Sequence, residues 1–222
     1  ASVIKEMQSA SKEWENFLVA AGNPNNILLV EFAEDSLKYL TGKTVGEIAN
    51  MRDTGPAETI IDLVVQNGTD IGTVYFLMNE ENVKKQLRLP YMTFGSDARS
   101  IAAEGKNLES STHPRTYGNF ARLLGKYVRE EQVIPLQEAI HKLTLLSAQK
   151  LKIEDRGLLA PGYFADVVVF DPETIADKAT FEEPHKYAVG VEHVFVNGKQ
   201  VLSHGEHTGA TPGMFVRGPG YR

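Results

Sequence analysis

The sequence predicts an α/β fold, and three observations carry that reading. Short apolar runs of strand length alternate with helical patterns through the middle of the chain. From Leu151 onward the composition shifts to Gly, Pro and alternating Val. Hydrophobic residues make up 42% of the 222, enough to bury a sizeable core.

Residues 2–21 carry Val3, Ile4, Met7, Trp14, Phe17 and Leu18 among charges, a helical pattern ending near Gly22. Asn23-Pro24-Asn25-Asn26 reads as a turn and Ile27 to Phe32 as a strand. Thr44 and Glu47 have the spacing of a capping box, with Ile48 and Met51 supplying apolar contacts. A further helix opens at Pro56 and turns Ile60, Ile61, Leu63, Val64 and Val65 inward. Gly72 to Met78 predicts a buried strand, after which Asn79 caps a helix running to about Leu89. Tyr91-Met92-Thr93-Phe94 then predicts a short strand buried on both faces, running directly into Gly95-Ser96-Asp97.

This order of helix and strand, with short connections, implies parallel strands joined by helical crossovers. Two more helices, Gly118 to Glu131 and Pro135 to Lys150, follow. Past a boundary near residue 150, Ala165 to Asp171, Val191 to Val196 and Gln200 to Leu202 predict a small antiparallel β module. Asn197-Gly198 between two Val-bearing runs is a hairpin signal. The expected domains are residues 1–150 and 151–222.

Charge and composition exclude several function classes. With 23 basic and 29 acidic residues the net charge is −6, and no Lys/Arg cluster forms the basic stripe that nucleic acid requires. The absence of cysteine excludes disulfide and thiol chemistry and suits a reducing, cytoplasmic setting. No apolar run approaches the roughly 20 residues of a membrane span, and the first residues do not form a signal peptide. The chain opens on Ala1 rather than Met and enters an amphipathic helix at once, as a piece of a longer protein would.

Asp97 is the first candidate for chemistry, because it places a carboxylate at the predicted carboxyl end of a core strand, where catalytic groups collect in α/β folds. Thr112-His113-Pro114-Arg115-Thr116-Tyr117-Gly118 adds an imidazole, a guanidinium and a phenol around a rigid proline. Two readings stand open on residue types alone. Asp97 and Arg115 form a structural ion pair, or Asp97 handles protons while Arg115 grips an anionic substrate in a bidentate fork.

The other polar residues read as structural. His141 sits on an amphipathic helix and His185 on a loop. His204 and His207 have a spacing that zinc sites sometimes use, yet they lie in a turn-rich stretch without a third ligand. Asp166 and Asp171 bracket a strand as turn and edge residues. Trp14 belongs to the core or an interface, and Lys84 and Lys85 to a solvated helix face.

The run Leu143 to Ala148, followed by Asp155-Arg156-Gly157-Leu158-Leu159-Ala160-Pro161-Gly162-Tyr163-Phe164-Ala165-Asp166-Val167-Val168-Val169-Phe170-Asp171, resembles the C-terminal signature of the amidohydrolase superfamily. Gly95-Ser96-Asp97, His113-Pro114-Arg115, Gly118-Asn119-Phe120 and Val194-Phe195-Val196-Asn197-Gly198 narrow the resemblance to the N-acyl-D-amino acid deacylases, or D-aminoacylases. Thr41-Gly42-Lys43-Thr44 and Phe76-Leu77-Met78-Asn79-Glu80-Glu81 are similar to the body of those enzymes, so the likeness covers nearly the whole chain.

The resemblance implies the last strands and helices of a metal-dependent (β/α)₈ barrel, including the end of an inserted segment, followed by a small β-sandwich. The implied reaction is hydrolysis of an N-acyl-D-amino acid to a carboxylate and a D-amino acid, with zinc as cofactor. Asp97 matches the position that takes a proton from metal-bound water and delivers it to the leaving amine, where it is also a potential metal contact. Arg115 matches the position that binds the substrate α-carboxylate, and His113 shapes the adjoining loop.

The sequence departs from the family in having no His-x-His pair and no cysteine, its first histidine being His113. Metal ligands are therefore expected upstream, none within this chain, and the isolated chain is expected to be inactive until joined by the missing N-terminal part of the barrel or by self-association. Two alternatives stand beside this one: another amidohydrolase specificity such as hydantoinase, dihydroorotase or dipeptidase, and a non-catalytic module that docks onto a chain supplying the rest of the barrel.

Overall fold

Strand β1, Ile27–Glu31, buries four consecutive apolar side chains, which suits its unbroken Ile-Leu-Leu-Val run. It pairs with β2, Gly72–Tyr75. A computed structural model describes residues 2–221. The chain forms two units: Ala1–Asn79 with Ser100–Pro114 and Thr180–His185, and Glu80–Arg99 with Arg115–Ala179 and Lys186–Arg222. Among the described residues, no helix is long and apolar enough to cross a membrane.

In the first unit the expected N-terminal helix is two short ones, α1 (Ser2–Met7) and α2 (Phe17–Ala21). Asn16 is the reason for the break. Its side-chain amide donates to the carbonyls of Met7 and Ser9, and its side-chain oxygen accepts from the Val19 amide to cap α2. Gly22 ends α2 in the left-handed region at φ 66°, where a glycine carries no Cβ penalty.

Helix α3, Val45–Arg52, opens with the predicted capping box, in which Thr44 accepts from the Glu47 amide and the Glu47 carboxylate accepts from the Thr44 amide. Helix α4 spans Pro56–Asn67. Leu40, Val45, Ile48 and Leu63 form the centre of this unit's core with Ile27, Leu29 and Phe32.

The expectation of a parallel crossover is corrected here, because β1 and β2 are antiparallel. The connection between them runs through a 3₁₀ helix at Asp35–Leu40 and then the two predicted helices, α3 and α4. A connection with two helices brings β2 back against β1 in the opposite direction, where a single crossover helix would set it parallel. The strand is also shorter than Gly72 to Met78. Phe76, Leu77 and Met78 lie beyond its end with 40% or more of their surface exposed. Met51, expected to supply apolar contacts, is exposed on α3, whose buried side is Val45, Gly46, Ile48 and Ala49. Val64 and Val65, expected inward, are exposed because the buried stripe of α4 runs through Ala57, Thr59, Leu63 and Asn67.

The second unit begins with α5, Glu80–Leu87. Tyr91 to Phe94 is not a strand. Met92 donates to the Leu89 carbonyl in a turn, no described strand pairs with the segment, and Tyr91 stays exposed. Four residues without a neighbour to satisfy their backbone groups do not make a ladder. Helix α6, Arg115–Arg122, continues as π-helical turns over Leu123–Glu130. The helix expected over 135–150 is α7, Leu136–Leu143, and α8, Leu145–Leu151, broken at Thr144, whose φ of −121° and ψ of −92° are not helical.

Strands β3 (Val167–Phe170), β4 (Val191–Val196), β5 (Lys199–Ser203) and β6 (Glu206–His207) form one antiparallel sheet in sequence order. The β4–β5 turn is Asn197-Gly198 with φ values of 50° and 77°, the two left-handed positions that the hairpin signal predicts. Phe170, Val191 and Phe94 pack against the core formed by Leu87, Leu124, Tyr127, Ile134 and Ile175.

Candidate functional site

The 95–97 loop and the first turn of α6 carry the candidate residues of the second unit. Asp97 takes a left-handed φ of 48°, a conformation that Asp tolerates better than most side chains because its short polar group bonds locally. Its carboxylate meets Arg115 Nη2 at 2.8 Å. The Asp97 side chain is 87% exposed and that of Arg115 41% exposed, so the pair faces solvent rather than the core.

Helix α6 holds Arg115 in place through close packing further along. A Cβ on Gly118 would lie 2.7 Å from Asp177 Cβ, so only glycine fits there. One turn later Arg122 pairs with Asp177 at 3.0 Å. Beyond α6, Gly125 approaches the Ile175 carbonyl closely enough that a Cβ would lie 2.6 Å from it, and Arg129 donates to the same carbonyl at 2.7 Å. Asn119, one turn after Arg115, donates to the Gly95 carbonyl at 3.3 Å. Asn119 was legible only as part of a motif, and its i, i+4 spacing from Arg115 is the one signal that the two share a helix face. Beside them, Tyr117 and Tyr187 meet edge to face at 5.4 Å, and burial first, then Tyr187, raises the Tyr117 phenol above its ordinary value.

His113 belongs to the first unit. Its ring meets Phe181 edge to face at 5.0 Å, and Phe181 meets Phe76 in the same way at 4.7 Å. The structure therefore brings Asp97 and Arg115 together and places His113 in an aromatic cluster of its own.

The residues read as structural have structural partners. Asp166 pairs with Arg156 and accepts from the Asn197 amide at 2.8 Å, while Asn197 Oδ1 accepts from Arg156 at 2.6 Å and its Nδ2 donates to the Pro212 carbonyl at 2.7 Å. Asp171 accepts from the Glu173 amide and the Thr174 hydroxyl, which hold its carboxyl below the usual range. His141 is exposed on α7. His204 meets the His193 ring at 4.7 Å, and His207 Nδ1 accepts from the Gly209 amide at 3.0 Å. Among the described residues, no group of three or more His, Asp or Glu side chains is gathered as a metal ion needs.

Residues 94–202 match the model of the amidohydrolase family. The D-aminoacylase of Alcaligenes xylosoxydans xylosoxydans is 37% identical over 177 residues, covering 80% of this chain and 34% of that protein. The N-acyl-D-aspartate deacylase of the same organism is 41% identical over 149 residues, covering 67% and 28%. A solved N-acyl-D-glutamate deacylase from Bordetella bronchiseptica, complexed with zinc and a phosphonate mimic of the tetrahedral intermediate, is 34% identical with a TM-score of 0.71, over 82% of this chain and 36% of that one. The chain thus spans 28% to 36% of the length of these relatives.

Proposed function

We propose that the chain, whose residues 94–202 match the amidohydrolase family model, is the C-terminal portion of a zinc-dependent hydrolase that cleaves N-acyl-D-amino acids to a carboxylate and a free D-amino acid. In this reading residues 1–150 are the end of a (β/α)₈ barrel with part of an inserted segment, and residues 151–222 are its small β-sandwich. The proposal includes a cytoplasmic location.

One observation carries the reading of the site: the 2.8 Å contact between Asp97 and Arg115 within the family segment, with both groups facing solvent. An exposed ion pair is worth only about 0–1 kcal/mol, so a substrate carboxylate competes readily for the guanidinium fork. Arg115 then holds the α-carboxylate of the D-amino acid. Asp97 takes a proton from the attacking water as its oxygen bonds to the acyl carbon. It returns that proton to the amine nitrogen as the C–N bond breaks. His113, which the family resemblance places in the substrate-binding loop ahead of Arg115, is assigned to shaping that loop.

The zinc of the relatives does not fit the residues described here, which gather no ligand set. Its ligands are assigned to the remaining barrel, supplied by an N-terminal portion or by another chain, and the 222-residue chain alone is proposed to be inactive.

The test is zinc content and hydrolysis of N-acetyl-D-methionine by the 222-residue chain, alone and with an upstream segment supplied. Turnover only in the completed protein is the expected result. Stoichiometric zinc and turnover by the chain alone would overturn the assignment of ligands elsewhere. Hydrolysis of dihydroorotate or a hydantoin in place of N-acyl-D-amino acids would overturn the substrate assignment.

A further inference from the structure

Asp97 holds a left-handed backbone, φ 48°, which Asp tolerates but most side chains avoid. Two side chains from one face of α6 reach the loop that bears it. Arg115 binds the Asp97 carboxylate at 2.8 Å, and Asn119, four residues on, donates to the Gly95 carbonyl at 3.3 Å. The helix itself is set by Gly118, whose contact with Asp177 leaves no room for a Cβ. The first of these contacts is lost or shared whenever Arg115 engages a substrate carboxylate. The second is made to backbone and is indifferent to substrate.

We infer that Asn119 is a positioning residue for Asp97: its amide holds the Gly95-Ser96-Asp97 turn in place while Arg115 is occupied by substrate, so that the carboxylate keeps its aim through the reaction. This rests on the roles proposed above for Asp97 and Arg115. Asn119 touches neither substrate nor reacting atoms in this scheme. Its contribution is to geometry, which is worth more in turnover than in binding.

Asn119→Leu removes the donor and keeps the side-chain volume on a half-buried helical position, and Asn119→Gln restores a donor. The first readout does not depend on activity. In the 222-residue chain, NMR order parameters for Gly95, Ser96 and Asp97 are expected to fall from the rigid range, about 0.85, to below about 0.6 in Asn119→Leu, and to recover in Asn119→Gln. Unchanged order in Asn119→Leu overturns the inference. Should that variant fail to fold, slowed hydrogen exchange of the Asn119 side-chain amide in the unsubstituted chain supports the clamp, and exchange as fast as that of a solvated asparagine overturns it.

The second readout is kinetic, in the completed protein. Asn119→Leu is expected to lower kcat about 10- to 100-fold with KM nearly unchanged, and Asn119→Gln to regain most of it. A raised KM with kcat intact overturns the positioning role. Absence of turnover in every form, including the unsubstituted one, refutes the deacylase reading, while the order parameters still decide whether Asn119 holds the turn.

Discussion

The Lys142 ammonium donates to the Leu87 carbonyl at 2.5 Å with only 1% of its side chain exposed, joining α7 to the C-terminal end of α5. Leu87 is the last residue of its helix, and its carbonyl is one of those that helical bonding leaves without a partner. Glu138, one turn before Lys142, supplies the countercharge at 2.7 Å. Lys142→Met keeps the apolar stem and removes the donor. It is expected to destabilise the chain by about 1–3 kcal/mol, the cost of a buried carbonyl left unsatisfied, as read from urea unfolding. Glu138→Gln is expected to destabilise it too, by leaving a buried ammonium without its countercharge.

Asp97 and Arg115 separate in a kinetic experiment on the completed protein. Asp97→Asn keeps the shape and the tolerance for a left-handed backbone but cannot accept a proton, so kcat is expected to fall about 10²- to 10⁴-fold. Because the Asp97 side chain is 87% exposed, thermal stability should barely change. Arg115→Lys keeps the charge and loses the fork. The expected result is a higher KM for substrates with a free α-carboxylate and little change for their amides.

The capping box of α3 gives the first unit an acid sensitivity with a definite sign. Hydrogen bonds from the Thr44 amide and then the Thr44 hydroxyl hold the Glu47 carboxyl below its ordinary value. The unfolded chain therefore takes up its proton at a higher pH than the folded one. The stabilisation is fully present above the unfolded value, about 4.3, and is lost as pH falls through the lower folded value. The urea midpoint should drop more steeply below about pH 4.5 in the parent than in Glu47→Gln. Thr44→Ala should cost about 1 kcal/mol at neutral pH.

Gly118 and Gly125 mark two places where helix meets chain without room for a methyl group, at 2.7 Å from Asp177 Cβ and 2.6 Å from the Ile175 carbonyl. Alanine is the better helix former, yet Gly118→Ala and Gly125→Ala are each expected to destabilise by about 1–3 kcal/mol, since the backbone must yield. Gly118→Ala should also shift the NMR resonances of Arg115 and Asp97, because it displaces the turn that bears the guanidinium.

Features written in a few adjacent residues were legible in the sequence. Thr44 with Glu47, Asn197 with Gly198 and the apolar run from Ile27 each carry their geometry locally. Tyr91 to Phe94 misled because an apolar run states only that it will be covered, not whether another strand will lie beside it. The antiparallel pairing of β1 and β2 was missed although both helices between them were legible, because the alternation of elements was taken as single-helix crossovers. The burial of Lys142 left no mark in the sequence, since nothing within four residues reveals that α5 ends against it. At the candidate site, Asp97 was first singled out at the end of a strand that the structure does not form, Arg115 by its motif, and the ion pair between them was one of the two readings the residue types left open. Asn119 needed the fold, because its partner Gly95 lies 24 residues earlier.

The two units interleave along the chain, which passes from one to the other after residues 79, 99, 114, 179 and 185. A nascent chain leaves the ribosome from its N-terminal end, at about 5–20 residues per second. The first unit cannot be completed until Thr180–His185 has emerged, for Phe181 is the ring on which both Phe76 and His113 rest. By then most of the second unit has been synthesised. Neither unit corresponds to a continuous stretch of the sequence, so a truncation meant to isolate either one removes part of it, and neither can be completed before most of the other has been made.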